Sequence, residues 1–151
     1  MKPWMTAILL TGALCFAQSA KPKTATPESD YTGMYSFLRG GEFVQINVED
    51  GNRLTGFISR YSGAEKAIFV DHFFEKAEVQ NHDIRFSTRK VDGVWFDFKG
   101  AISRGPGKAR SAEDYYEIKG TLTQHSSQPN QEVTTKAVEV TFYSFPQEIC
   151  D

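Results

Sequence analysis

The stretches "FKGAISR" (Phe98–Arg104), "IKGTLTQ" (Ile118–Gln124) and "LTGFISR" (Leu54–Arg60) share one pattern. Each alternates apolar and polar residues with a period of two, and each places a glycine on the apolar phase. Alternation of this kind marks a strand with one face in a core. A strand that gives up an inward side chain can bend there and leave room for a bulky neighbour. Three such strands in one chain are what a coiled or closed sheet requires, because its strands must curve toward a common axis.

The pattern extends in both directions. Val44, Ile46 and Val48 share one phase, as do Ile84, Phe86 and Thr88, and Val138, Val140 and Phe142. Short turn signals separate the runs: "EDGN" at Glu49–Asn52, "QNHD" at Gln80–Asp83 and "VDGV" at Val91–Val94. No stretch carries a helical stripe. Ala64–Glu78 reads either as two short strands or as a strand with one helical turn. The sum is an all-β domain, a single antiparallel up-and-down meander barrel of about eight or nine strands, with a β-sandwich as the alternative. Short sequential hairpins favour the barrel.

The 151 residues suffice for one domain. Residues 1–19 read as a signal peptide: Lys2, an apolar run over Ala7–Ala17, then small residues that suit cleavage after Ala17 or Ser19. The run is too short to span a bilayer. Residues 20–30, polar and with two prolines, read as a disordered spacer. The barrel domain is expected over 31–146 and a C-terminal tail over 147–151. This organisation predicts an exported protein, periplasmic or extracellular. Without the leader only Cys150 remains, so no internal disulfide is expected, and Cys150 is either an unpaired thiol or a bridge between chains.

Several segments carry a resemblance. "YTGMYSF" (Tyr31–Phe37), "RLTGFIS" (Arg53–Ser59), "DIRFST" (Asp83–Thr88), "WFDFKGAI" (Trp95–Ile102) and "YEIKGTL" (Tyr116–Leu122) together resemble small exported bacterial β-meander proteins of calycin-like (lipocalin-like) shape. The resemblance covers roughly Tyr31–Phe145 and implies the fold more than an activity.

Catalytic signatures are missing: no G-x-S-x-G elbow, no H-E-x-x-H, no phosphate-binding glycine loop, no C-x-x-C. No enzyme activity and no cofactor are therefore expected. Asp71, His72, Glu75, His82 and Asp83 could gather at a hairpin around a metal, but a strand end and a polar turn explain them as well, and no metal site is assigned. Asp97 and Glu117 lie on the outward phase of neighbouring strands, where an acid–base pair or a solvated face paired with Lys99 and Lys119 would fit. The net charge of −2, interspersed along the chain, argues against nucleic acid as a partner.

Aromatic residues are more informative. Phe86, Phe96, Phe98, Tyr116 and Phe142 fall on the inward phase. They would line a small apolar or amphipathic ligand, or simply fill the barrel. Phe43, Phe57, Trp95 and Tyr115 fall on the polar phase. They would pack beneath Ala64–Glu78 as a second small core with Phe69, Phe73 and Phe74, or form a contact surface for a protein or glycan partner centred on Trp95. The leading functional expectation is a binding protein holding a small ligand inside its barrel. The alternative is a solid-core interaction protein.

Overall fold

A computed structural model describes residues 31–62 and 68–147. The expected leader, the spacer and Cys150 lie outside these residues. Eight strands follow one another: β1 (Gly33–Ser36), β2 (Phe43–Val48), β3 (Leu54–Ser62), β4 (Ile68–Gln80), β5 (Asp83–Thr88), β6 (Val94–Arg104), β7 (Tyr116–Ser126) and β8 (Thr134–Tyr143). Each pairs antiparallel with the next, and the spatial order is the sequence order. The meander expected from the alternation is therefore the one observed, and the sandwich alternative falls. Among the described residues no helix is long and apolar enough to cross a membrane.

The turns are local. Asn81 and Asp92, in the turns that join β4 to β5 and β5 to β6, adopt φ values of 57° and 50°. Asn and Asp tolerate this left-handed region better than other side-chain-bearing residues. The segment 68–80 is one thirteen-residue strand, so over its described part Ala64–Glu78 is neither two short strands nor a strand with a helical turn. A register shift between Phe74 and Lys76 inserts Glu75 as an extra residue. The bulge lets one long strand serve two neighbours. Its first half pairs with β3, from Phe57↔Phe73 to Ser62↔Ile68, and its second half pairs with β5.

Register places the inward side chains in rows. One row runs Ala77, Phe86, Phe98, Leu122, Val138, and another Val79, Ile84, Gly100, Gly120, Val140. Gly100 and Gly120 face each other. A methyl on Gly100 would lie 2.3 Å from the Lys119 carbonyl oxygen and 2.6 Å from the Phe98 ring. The missing side chains let β6 and β7 coil tightly and let Phe98 lie across the gap. Gly56 acts alike on β3. Its φ is 153°, and a methyl there would meet the Gln45 carbonyl oxygen at 1.9 Å.

The sheet curls until its ends touch. Tyr35 bridges Ser144, the Phe145 N–H donates to the Met34 carbonyl at 2.9 Å, and the Tyr143 N–H donates to Ser36 Oγ at 2.9 Å. Closure is confined to this end because β1 has four residues and β8 has ten. The result is a partly closed barrel with a single buried core that includes Tyr35, Val44, Ile46, Ile58, Phe96, Ile118 and Phe142.

Candidate ligand site

The five inward aromatics are all buried. Four of them join a continuous chain of rings. Phe74 stacks on Phe86 at 4.5 Å, Phe86 on Phe98 at 5.1 Å, and Phe98 meets Phe142 at 5.2 Å. Phe37 then links Phe142 to Phe96. Tyr116 lies nearer the far end, edge-on to Tyr31 at 5.3 Å. This chain fills the middle of the barrel, and open space remains at one mouth and at one side.

The mouth lies where β3, β4, β6 and β7 reach the end bearing the β5–β6 turn. A cavity of about 260 Å³ there is lined by Arg60, His72, Val91, Asp92, Val94 and Gln124, among others. Strand phase explains its chemistry. Arg60 follows Ile58 on the inward face of β3, His72 opposes Ile58 on β4, and Gln124 opposes Phe96 on β7. Three strands that are apolar deeper in the barrel thus turn polar as they emerge.

Among the described residues one buried side-chain atom here has no hydrogen-bond partner, His72 Nδ1, while Arg60 and Gln124 are half-buried beside it. His72 is only 2% exposed, and its Nδ1 has no hydrogen bond. An orphaned buried acceptor or donor is uncommon and costly. Burial pushes the His72 pKa down, and the neighbouring Arg60 charge adds to this; the Arg89 main chain and the Asp71 and Asp92 carboxylates pull the other way. The ring is thus neutral at pH 7. Arg60 sits with its guanidinium 5.3 Å from the Phe96 ring centroid. Burial lowers its pKa, and the nearby Glu42 carboxylate opposes that shift. Glu42 itself is engaged by the Arg39 side chain at 3.0 Å and the Tyr61 N–H at 3.1 Å. Phe96 underlies the group, edge-on to His72 at 5.1 Å.

The side opening follows from the bulge. Beyond Phe57↔Phe73, strands β3 and β4 part and meet again only at the bridge Arg53↔Glu78. The gap forms a groove of about 780 Å³ with Leu54, Phe74, Phe86 and Phe98 in its floor. Charged side chains surround it, and two ion pairs are already formed there: Arg85 with Glu78 at 3.1 Å, and Arg53 with Glu49.

The outer aromatics do not form one patch. Phe43, Phe57 and Phe73 make a row across β2, β3 and β4, with centroids 5.8 and 5.3 Å apart, and Tyr61 with Phe69 extends it. Trp95 instead stacks on His125 at 4.9 Å, with Lys90 over its ring. Tyr115 carries Arg104 at 3.3 Å near the opposite end. Of the two readings of these residues, the second core beneath Ala64–Glu78 does not form among the described residues, where 68–80 is a strand of the sheet itself. Phe69 and Phe73 belong to that row, about half exposed, and Phe74 turns inward.

The remaining clusters separate as well. His72 lies in the first half of β4 and His82 in the turn beyond its far end, and Asp71 points to the other face from His72. Among the described residues no three His, Cys, Asp or Glu side chains gather as a metal site. Asp97 opposes Thr123 while Glu117 opposes Ser103, six positions away along the ladder. Asp97 holds Ser87 Oγ at 2.5 Å and His125 Nε2 at 2.8 Å; Glu117 pairs with Lys119 at 2.5 Å. The charge-paired surface is the reading that fits.

No family model matches the sequence, and no curated protein matches it. Among solved structures, the chain is similar to shwanavidin. The match to apo shwanavidin has a TM-score of 0.51 at 15% identity, covering 76% of this chain and 95% of that one. A shwanavidin variant in complex with biotin matches with a TM-score of 0.49 at 16% identity, covering 76% and 96%. The likeness concerns the fold and supports the calycin-like meander expected from the sequence. It assigns no side chain.

Sequence reading placed Phe86, Phe96, Phe98, Tyr116 and Phe142 on the buried phase but did not single out Arg60 and Gln124. Both stand on the inward phase near strand ends, and a polar residue breaking an apolar phase is the signal that could have found them. His72 was noticed for its carboxylate neighbours rather than for its phase.

Proposed function

We propose that this chain is an exported, non-enzymatic binding protein that holds a small amphipathic ligand at the mouth of its barrel. The observation that carries this reading is the buried, unpartnered His72 Nδ1, which shares one small cavity above Phe96 with the half-buried Arg60 and Gln124 side chains. An unsatisfied buried atom such as His72 Nδ1 is kept at a cost to stability, and a ligand that satisfies it recovers that cost. The neutral His72 ring offers Nδ1 as an acceptor, so the ligand presents an N–H or O–H donor there. Arg60 calls for an anionic or carbonyl oxygen. Phe96, Val70, Val91 and Val94 take its apolar body. A cavity of about 260 Å³ sets a compact size. The leader-like sequence of residues 1–19 supports export.

Indole-3-carboxylate has all three features and serves as a probe. In protein labelled with ¹⁵N-histidine, saturating probe is expected to shift the His72 ring nitrogens and leave those of His125 in place. Unmoved His72 signals with this probe, together with no co-purifying small molecule in a native mass spectrum, would overturn the proposal.

A further inference from the structure

The same closure that joins β1 to β8 leaves most of β8 without a neighbour on one side. The Ser144 N–H donates to the Tyr116 carbonyl, toward β7, whereas the Tyr143 N–H points the other way to Ser36 Oγ. The β7–β8 ladder runs without a register shift from Glu117↔Tyr143 to Ser126↔Thr134. Alternation along an antiparallel strand then turns the main-chain groups of Thr135, Ala137, Glu139 and Thr141 outward. Strand β1 ends at Ser36, and no main-chain partner meets these four among the described residues. The first half of β8 is exposed on both faces, from Thr134 to Ala137, so the edge stands clear of the barrel. It carries neither proline nor bulge, two of the devices that block an open edge, and its charges are limited to Lys136 and Glu139.

We infer that this edge pairs with the same edge of a second copy of the chain, antiparallel about a two-fold axis at Val138. The choice of occupant rests on self-complementarity. In a continuous sheet a two-fold axis pairs residues of equal phase, which leaves three registers centred on this edge. An axis at Glu139 sets two like charges against each other. One at Ala137 pairs Thr141 with Val133, before β8 begins. An axis at Val138 sets Thr135 opposite Thr141 and Ala137 opposite Glu139, so all four outward residues find each other and each pair exchanges two main-chain bonds. No like charges are opposed, and the contact is isologous, which closes at a dimer.

The register makes position 137 diagnostic, because it faces Glu139 of the second copy. Sedimentation velocity of the purified full chain over rising concentration is expected to show a monomer–dimer equilibrium. Ala137→Glu is expected to weaken the dimer at least about tenfold, and Ala137→Lys to tighten it several-fold. Ala137→Pro removes an outward N–H without touching the β7 ladder and is expected to give a monomer with an unchanged circular dichroism spectrum. A wild-type protein that stays monomeric up to about 1 mM would overturn the inference. So would a dimer that Ala137→Glu leaves intact, which would mean that another surface is used, or one that Ala137→Lys weakens, which would mean that another register is used.

Discussion

Gly100 and Gly120 face each other across β6 and β7, and the space of each missing methyl is filled by the main chain of the opposite strand. A methyl on Gly120 would lie 2.3 Å from the Lys99 carbonyl oxygen and 2.5 Å from the Gly100 Cα. Backbone cannot step aside as a flexible side chain would. Gly120→Ala is therefore expected to destabilise the fold by about 2 kcal/mol or more, by the mechanism of overpacking. Urea denaturation checks it. A cost within about 0.5 kcal/mol, typical of an unconstrained surface site, would contradict the close approach.

His72→Phe should separate stability from function. The ring stays flat and buried, while the unpartnered Nδ1 disappears. Loss of the unsatisfied Nδ1 is offset by loss of the ring's hydrogen bond to the Arg89 main chain, so stability is expected to change by no more than about 1 kcal/mol. The same change is expected to weaken indole-3-carboxylate binding at least about tenfold, since its donor loses its acceptor. Thermal unfolding and calorimetry measure the two effects in one preparation.

The pH dependence has a definite sign. His72 has a folded-state pKa below its unfolded value, owing first to burial and then to Arg60. Below pH ~6.5 the unfolded chain takes up a proton that the native ring resists. Stability tied to His72 is thus fully present above that pH and is lost as pH falls. The melting temperature is expected to drop between about pH 7 and pH 5, and His72→Phe is expected to flatten part of that drop.

Phe98 sits between Phe86 and Phe142 and also forms part of the side groove's floor. Phe98→Ala is expected to cost about 3–5 kcal/mol, the range for deleting a buried aromatic. It also deepens the groove between β3 and β4. Uptake of a hydrophobic fluorescent dye such as N-phenyl-1-naphthylamine is expected to rise in the folded variant relative to the wild type.

Trp95 gives the contrasting case. It lies on the outer face, stacked on His125 with the two planes 9° apart. Trp95→Ala is expected to remove about 1 kcal/mol, the scale of one ring pair. The response of His72 to indole-3-carboxylate should be unchanged. A lost response would tie the outer face to the mouth and count against two separate environments.

Local patterning determined much of this protein. Period-two alternation specified strands, Asn, Asp and Gly specified the turns, and short hairpins left a meander as the simplest way to bury one face. The inward glycines at 56, 100 and 120 announced the coiling, and Phe86, Phe96, Phe98, Tyr116 and Phe142 announced the core, because both depend only on a residue's phase. Other features depend on how strands are offset from one another, which phase alone does not encode. Glu75 bulges out of β4 only because β3 and β5 demand different registers of it. Trp95 meets His125, and Phe57 meets Phe73, because of ladder pairings set by the whole sheet. The candidate site is of this second kind. Arg60, His72 and Gln124 come from three strands and lie up to 64 positions apart in sequence. Only the curling of the sheet brings them to one mouth and leaves His72 Nδ1 buried there without a partner.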